Sequence, residues 1–417
     1  MQINTINIQE YSEYLDTVDT VVFQQSQYHA KKFEHDGWSV EFIQASQENE
    51  VYATCMLAYL PLMKVFKYCY VARGFLADYK DKDKLVKFTS SLKQYLKKKN
   101  VVYLEMDPEI DLVQRDKDGN VVENGFNNYD VVENLKSGGF LQLPLKQGYD
   151  LSKECRFCSS IDLRGKTSDE IFNEFSSATR RNTRTAQKYN VHIRKLGVDQ
   201  LHILDSMEKE TSARQDFEAM SLDYFKNLYA FYGEDHVETL LSYLDLDEYE
   251  QKIKKEYNTT LKSIEKTKTF LEKNPGNEKK EKRLKTDETY LDSLDKKISH
   301  IQELKDTYGK EVPLACCLFI KYGHEIVYLV GSSNYEQRDF RGPYAIHWHM
   351  IQEAIQEGYD FYNFYGISGY FEPGKEGYGV FDFKRGYNAV VHEYIGNFIL
   401  PCKPFIFKIY NNLKHIC

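Results

Sequence analysis

Residues 246–311 constrain the fold more than any other part of this chain. Tyr257, Ile264 and Leu271 recur every seven residues, with Ile253 ahead of them. Two interleaved series follow at the same spacing: Leu284, Leu291 and Ile298, then Leu294, Ile301 and Tyr308. Nearly everything between is Lys, Glu, Asp, Thr or Asn. Such spacing makes an apolar seam one partner helix wide. Asn274-Pro275-Gly276-Asn277 interrupts the pattern, and a proline there stops the first helix. The two limbs are therefore expected to fold back as an antiparallel coiled coil. Limbs of about 25 residues would project on the order of 35–40 Å. An arm of that length is expected to touch something large.

The remainder of the 417 residues is too long for one small core, which gives two globular units plus the arm. The expected boundaries are 1–150 for the first unit, 151–245 plus 312–417 for the second, and 246–311 for an arm inserted in the second. Residues 51–62 and 66–71 read as strands and 82–98 as an amphipathic helix. The strand over 100–106 ends at Asp107-Pro108, because proline donates nothing to a ladder. Gly138-Gly139 closes this unit. The second starts near 159–163 and continues with a helix over 167–189, capped by Thr167 or Ser168. Beyond the arm, 312–320 and 325–330 read as strands, 343–357 as a helix, and 359–365, 380–383 and 389–395 as strands. The similar rhythm of the halves gives an α/β (α+β) class built from two related units.

A net charge of −8 argues against wholesale coating of nucleic acid and leaves room for a local basic patch. The N-terminus has no basic stretch before an apolar run, and Pro401, Lys403 and Pro404 break the longest apolar tract. No secretory signal and no transmembrane helix are expected, and the chain reads as cytoplasmic. The eight cysteines are then expected to be reduced. Cys155-x-x-Cys158 stands without a second pair, Cys316 and Cys317 are neighbours on a strand, and His347 and His349 point to different sides of a helix. No metal and no cofactor are expected. There is no Gly-x-Ser-x-Gly elbow, Walker loop or dinucleotide fingerprint. The nearest approach to an acetyl-CoA loop, 338–343, lacks its pattern.

Three candidate sites remain. Residues 176–195 carry Arg180, Arg181, Arg184, Lys188, Arg194 and Lys195 with no acid among them. Arg180, Arg184 and Lys188 are four apart and share a helix face. That favours a polyanion such as tRNA or pyrophosphate over a basic face docked on the acidic remainder. Lys384, after an apolar strand in Phe383-Lys384-Arg385-Gly386-Tyr387-Asn388, places a cation where an oxyanion could form. The plainer reading is a snorkelling lysine. Asp107 sits at the carboxyl end of a strand, where open α/β sheets bind ligands. It could orient or deprotonate an amine, or simply start a turn.

These stretches resemble the FemABX family, the non-ribosomal peptidyltransferases of Gram-positive cell-wall synthesis, in its FemA-like form. The resemblance runs over essentially the whole chain. It is carried by Pro61-Leu62-Met63-Lys64-Val65-Phe66-Lys67-Tyr68, Arg73-Gly74, residues 104–108 and 180–184, 341–344 and Trp348. It continues in Tyr362-Asn363-Phe364-Tyr365-Gly366-Ile367-Ser368-Gly369, 383–388 and Glu393-Tyr394-Ile395-Gly396. The inserted arm is similar to the tRNA-contacting arm of seryl-tRNA synthetase.

The resemblance implies two N-acyltransferase (GNAT-like) domains. It implies transfer of glycine, serine or alanine from aminoacyl-tRNA to the stem-peptide lysine, or to a partly built bridge, of lipid II. It also implies peripheral work at the inner membrane face and association with itself or with sister transferases; the chain's own weakly amphipathic stretch over 405–416 is expected to help the peripheral contact. Lys384 with Phe383 would carry the oxyanion role, and Asp107 would position or deprotonate the acceptor. Tyr344, Tyr365 and Gly366 would bind substrate. Arg180, Arg181, Arg184, Lys188 and the arm would hold tRNA. Two positions depart from the family pattern of phosphate contacts: Phe33 and Met220 stand where Lys and Arg are usual. Arg73 and Lys32 are the substitutes. Competing readings are a serine-inserting paralogue that protects against glycyl-glycine endopeptidases, a non-catalytic scaffold, and an acetyl-CoA enzyme, the last disfavoured by the missing loop.

Overall fold

The computed structural model describes all residues except 19–20, 49, 151–152, 216 and 415–417. Its strands form two eight-stranded sheets. The first comprises β1 (Gln2–Ile6), β2 (Ser39–Gln47), β3 (Glu50–Leu62), β4 (Phe66–Val71), β5 (Leu76–Ala77), β6 (Val101–Met106), β8 (Leu141–Gln142) and β16 (Phe398–Pro401), in the order β1-β2-β3-β4-β6-β16-β8 with β5 on β3. The second comprises β7 (Asp111–Gln114), β9 (Phe157–Asp162), β10 (His192–Lys195), β11 (Val237–Asp245), β12 (Glu311–Tyr322), β13 (Glu325–Ser333), β14 (Phe361–Ile367) and β15 (Val390–Tyr394), in the order β10-β11-β12-β13-β14-β9-β15-β7.

Both sheets follow one plan. Antiparallel strands lead into a parallel pair, β4 with β6 and β13 with β14. Each pair is joined by a crossover helix, Lys82–Lys98 and Gly342–Glu357. The first helix is capped by Asp81, which accepts from the Lys84 amide, and it buries Leu85, Phe88, Leu92 and Leu96 at helical spacing. The second buries Ile346, Met350, Ile351 and Ala354. Every residue of β6 is buried, as expected for a parallel strand covered on both faces.

The sheets cross the boundary expected at residue 150. β7, from the first half, pairs with β15 at the edge of the second sheet. β16, from the last residues, pairs with both β6 and β8 in the first. Phe398, Ile399 and Leu400 are fully buried there. Local patterning marks a strand as apolar without stating which sheet will bury it.

Two local readings are corrected. Residues 380–383 belong to the helix Tyr378–Arg385, not to a strand; Phe381 and Lys384 are its buried positions, three apart. The short run of Val and Phe was ambiguous between periods. The helix expected over 167–189 is two, Ser168–Glu174 and Ser177–Tyr189. Phe175 leaves helical geometry between them with its ring buried, and Ser176 caps the second helix on Thr179.

The arm is a helical hairpin, Leu246–Lys273 and Glu278–Tyr308, leaving the end of β11 and returning at the start of β12. Asp247 and Glu250 pair with Lys305, Glu256 with Tyr290, and Lys268 with Glu288, an antiparallel register. Ile253, Ile264, Leu294, Ile301 and Leu304 are buried along the seam. Leu271, Leu284, Leu291 and Ile298 are half-buried. At 1.5 Å per residue the limbs extend about 40 Å.

Candidate active site

Arg73 and Asp107 follow the carboxyl ends of β4 and β6, the parallel pair of the first sheet. Arg73 adopts a left-handed backbone, φ 54°, ahead of Gly74 at φ 81°. A side chain at Gly74 would come within 2.6 Å of the Tyr79 hydroxyl, so the turn requires glycine. The turn aims the Arg73 amide at Asp107 Oδ1, 2.9 Å away, while the Tyr70 hydroxyl donates to Oδ2 at 2.9 Å. Burial, reinforced by the negative charge of Glu154 and opposed by Arg73, pushes the Asp107 carboxyl up to about 7.

The Arg73 side chain is buried and gathers acids. Its Nε lies 3.1 Å from Glu109 Oε2, its Nη2 lies 3.3 Å from Glu154 Oε2, and its Nη1 donates to the Cys155 carbonyl at 3.2 Å. Glu154 Oε2 also accepts from the Tyr365 hydroxyl at 2.6 Å and from Gln24 at 3.1 Å. Burial works against ionising Glu154, yet Arg73 and the Tyr365 hydroxyl outweigh it and hold the carboxyl below its usual range.

Lys384 lies in the last turn of the helix Tyr378–Arg385 and is 4% exposed. Its Nζ donates to the carbonyls of Gly366 at 2.6 Å and Tyr365 at 3.3 Å. Tyr365 has φ 62°, so the end of β14 is turned to present both carbonyls. Burial lowers the ammonium to about 8, and no carboxylate among the described residues pairs with it. Lys384 and Asp107 thus occupy two ends of one connected set: Lys384, Tyr365, Glu154, Arg73, Asp107. A buried cation at one end and a carboxyl poised near neutrality at the other can stabilise an oxyanion and accept a proton.

The remaining expected residues fall into two groups. Gly366 belongs to the set: a Cβ there would lie 2.3 Å from Cys155 Sγ. Phe383 and Tyr344 lie outside it. Their rings pack at 5.3 Å within a cluster that includes His347 and Tyr387, a wall behind Lys384. Lys32 pairs with Asp36 on its own helix at 2.8 Å. Phe33 is buried against His29, Trp38 and Tyr70, and Met220 is exposed.

The basic helix Ser177–Tyr189 joins the site to the arm. The Ser176 amide donates to the Gly386 carbonyl, at the end of the Lys384 helix, at 2.8 Å. At the other end Lys252, from the arm, donates to the Lys188 carbonyl. Arg181, Arg184 and Lys188 are exposed. Arg180 is turned inward and donates to the carbonyls of Asn173 and Phe175. The shared face expected from spacing therefore loses its first member.

Glu154, Glu109 and Tyr70 were missed in the sequence, as was a cavity of about 760 Å³ lined in part by Arg73, Glu109, Asp111, Ser160, Glu325 and His392. His392 Nδ1 lies 3.0 Å from Asp111 Oδ2, and its Nε2 lies 2.8 Å from Ser160 Oγ. Burial opposes protonation of the ring, but the hydrogen bond that Nδ1–H donates to the Asp111 carboxylate outweighs it and raises its pKa. Burial pushes Glu325 up to about 7, with Glu109 adding to it. These residues come from separate strands and carry no local motif.

A model of the FemAB family matches residues 6–415. The chain is 32% identical over 417 residues to the aminoacyltransferase FemA of Staphylococcus epidermidis, covering 100% of both chains. It is also 32% identical over 419 residues to the aminoacyltransferase FemA of Staphylococcus aureus strain N315, covering 100% of this chain and 99% of that one. A crystal structure of FemX shares the fold, with a TM-score of 0.78 at 23% identity over 98% of this chain and 99% of the other.

Proposed function

The chain belongs to the FemAB family, and on that footing we propose that it transfers an amino acid from aminoacyl-tRNA to an amine of a lipid-linked muropeptide. The acceptor is the stem-peptide lysine or a bridge residue already attached to it. The observation that carries this reading is Lys384: a buried lysine whose acceptors among the described residues are backbone carbonyls, on the motif that the family resemblance singles out.

The ester of aminoacyl-tRNA is already activated. The amine nitrogen attacks the ester carbonyl, a C–N bond forms, the C–O bond to the ribose breaks, and the ribose hydroxyl leaves. Lys384 faces the negative charge that develops on the carbonyl oxygen. Asp107, ionised, takes the proton from the attacking amine, and the departing ribose oxygen takes up that proton in turn, which returns the carboxylate. Arg73 and Glu154 act as positioning residues, since each holds a neighbour rather than reaching outward.

The basic helix supports a path for the donor. It spans about 20 Å between the end of the Lys384 helix and the root of the arm. A tRNA acceptor stem lying on Arg181, Arg184 and Lys188 would bring its ester to Lys384 and its body against the arm. The test is direct: purified protein with lipid II, bare or carrying one bridge residue, and tRNA charged separately with glycine, serine and alanine, products read by mass. A one-residue adduct from one donor supports the reading and names the amino acid. No adduct from any donor, with folded protein, favours a scaffold.

A further inference from the structure

The C-terminal helix Pro404–Lys414 packs one face on the first sheet and leaves another bare. Phe407, Ile406 and Tyr410 lie over Tyr103, Leu62 and Phe66, with the Phe407 and Tyr103 rings 5.3 Å apart. Phe405, Ile409 and Leu413, each four apart, point away: Phe405 is 78% and Leu413 70% exposed. Beside the helix is the β3–β4 turn, whose Phe66 ring lies under Lys403 Nζ at 5.7 Å. That turn exposes Met63 and Val65, the latter by 67%. Large apolar side chains gathered at such exposure mark a contact surface.

The charge around this surface identifies its partner. Residues 63–67 and 403–414 contain five lysines and no acid, in a chain of net charge −8. They are Lys64, Lys67, Lys403, Lys408 and Lys414, and none has an ion pair among the described residues. An apolar stripe edged by lysines, on an otherwise acidic protein, has the chemistry of an amphipathic helix lying in a membrane interface. Lysines at an anionic bilayer add attraction that salt screens. We infer that the C-terminal helix and the β3–β4 turn form a surface that docks on an anionic lipid bilayer.

The geometry gives this docking a purpose. The Lys403 amide donates to the Val102 carbonyl beneath the helix at 3.0 Å. From Val102, β6 runs directly to Asp107, about 17 Å away at 3.3 Å per residue. The docked protein would hold its acceptor end a short, fixed distance from the lipid surface. This last step rests on the proposed use of a lipid-linked acceptor; the docking itself does not.

The experiment is co-sedimentation of the full chain with phosphatidylcholine vesicles and with vesicles containing phosphatidylglycerol, without substrates. Binding to the anionic vesicles should be about tenfold stronger and should weaken with salt. The double substitution of Phe405→Ser with Leu413→Ser should cut it about tenfold, and so should Lys408→Glu with Lys414→Glu. Circular dichroism and the melting temperature would show that both variants fold. Transfer to a water-soluble acceptor should be unchanged in both, which separates failure of docking from failure of the proposed chemistry. The inference is overturned by no preference for anionic vesicles, by parental vesicle binding in both variants, by a bare stripe that proves to pair two copies of the chain in solution, or by the lysine variant losing tRNA while keeping vesicles.

Discussion

Lys384 Nζ lies 2.6 Å from the Gly366 carbonyl oxygen, so the cation is held by a backbone group rather than by a carboxylate. A carbonyl supplies a lone pair without cancelling the charge. The ammonium therefore keeps its full field for whatever oxygen approaches, at the cost of a lowered pKa.

Lys384→Met keeps the length and removes the charge. Transfer should fall at least about a hundredfold, the usual scale for losing an oxyanion donor, while the melting temperature holds or rises. Rates with charged tRNA and a thermal melt would check both. Undiminished transfer would remove Lys384 from the reaction.

The same lysine should make stability depend on pH. Its folded pKa, about 8, lies below the unfolded value of 10.5. Between these the unfolded chain binds more protons, so stability rises with pH across that window and is flat, for this group, on either side. The gain is about 3 kcal/mol. Urea melts at successive pH values should show the slope in the parent and lose it in Lys384→Met.

Transfer should follow a bell-shaped pH profile. The acid limb, near 7, tracks ionisation of Asp107, and the alkaline limb, near 8, tracks loss of the Lys384 proton. Asp107→Asn should lower the rate and abolish the acid limb, since the amide does not titrate. A profile whose acid limb survives in Asp107→Asn would assign that limb to another group.

Gly366→Ala should reduce transfer about tenfold and stability by about 1–3 kcal/mol, because its Cβ would overlap Cys155 Sγ. Removing the sulfur should relieve the clash, so Cys155→Ala combined with Gly366→Ala should recover most of both losses. A double-mutant cycle measures the coupling; additive losses would contradict the overlap.

Within the basic helix the residues should separate. Arg181→Glu, Arg184→Glu and Lys188→Glu should each weaken tRNA binding and lessen its salt dependence, with the melt unchanged. Arg180→Ala should instead lower stability by about 1–2 kcal/mol, as its bonds to the Asn173 and Phe175 carbonyls are lost. Filter binding at two salt concentrations beside thermal melts would distinguish the two behaviours.

The sequence announced what repeats locally. The seven-residue spacing of Ile264 and Leu271, and of Leu294 and Ile301, marked the arm, and the run Val101-Val102-Tyr103-Leu104 marked a strand ending at Asp107. Lys384 and Asp107 stood out as candidates from their expected strand-end positions and again from the family motifs. Glu154 was not, because its importance lies in meeting Arg73, Tyr365 and Gln24 across the fold. His392, Ser160 and Asp111 were silent for the same reason: three strands bring them together. The helix around Phe383 and Lys384 was misread because four residues of mixed Val and Phe fit either period until a neighbour decides.

β16 lies between β6 and β8, yet among the described strands it is made after every other. During synthesis the N-terminal sheet leaves the ribosome with one flank of β6 unpaired and the Asp107 end of that strand incompletely enclosed. The sheet can close only when residues 398–401, made after every strand of the second sheet, become available to pair. A truncated product would lack the strand that completes its first half. A chain cut short before residue 398 should thus be incompletely folded rather than a shortened enzyme with an intact Asp107 end.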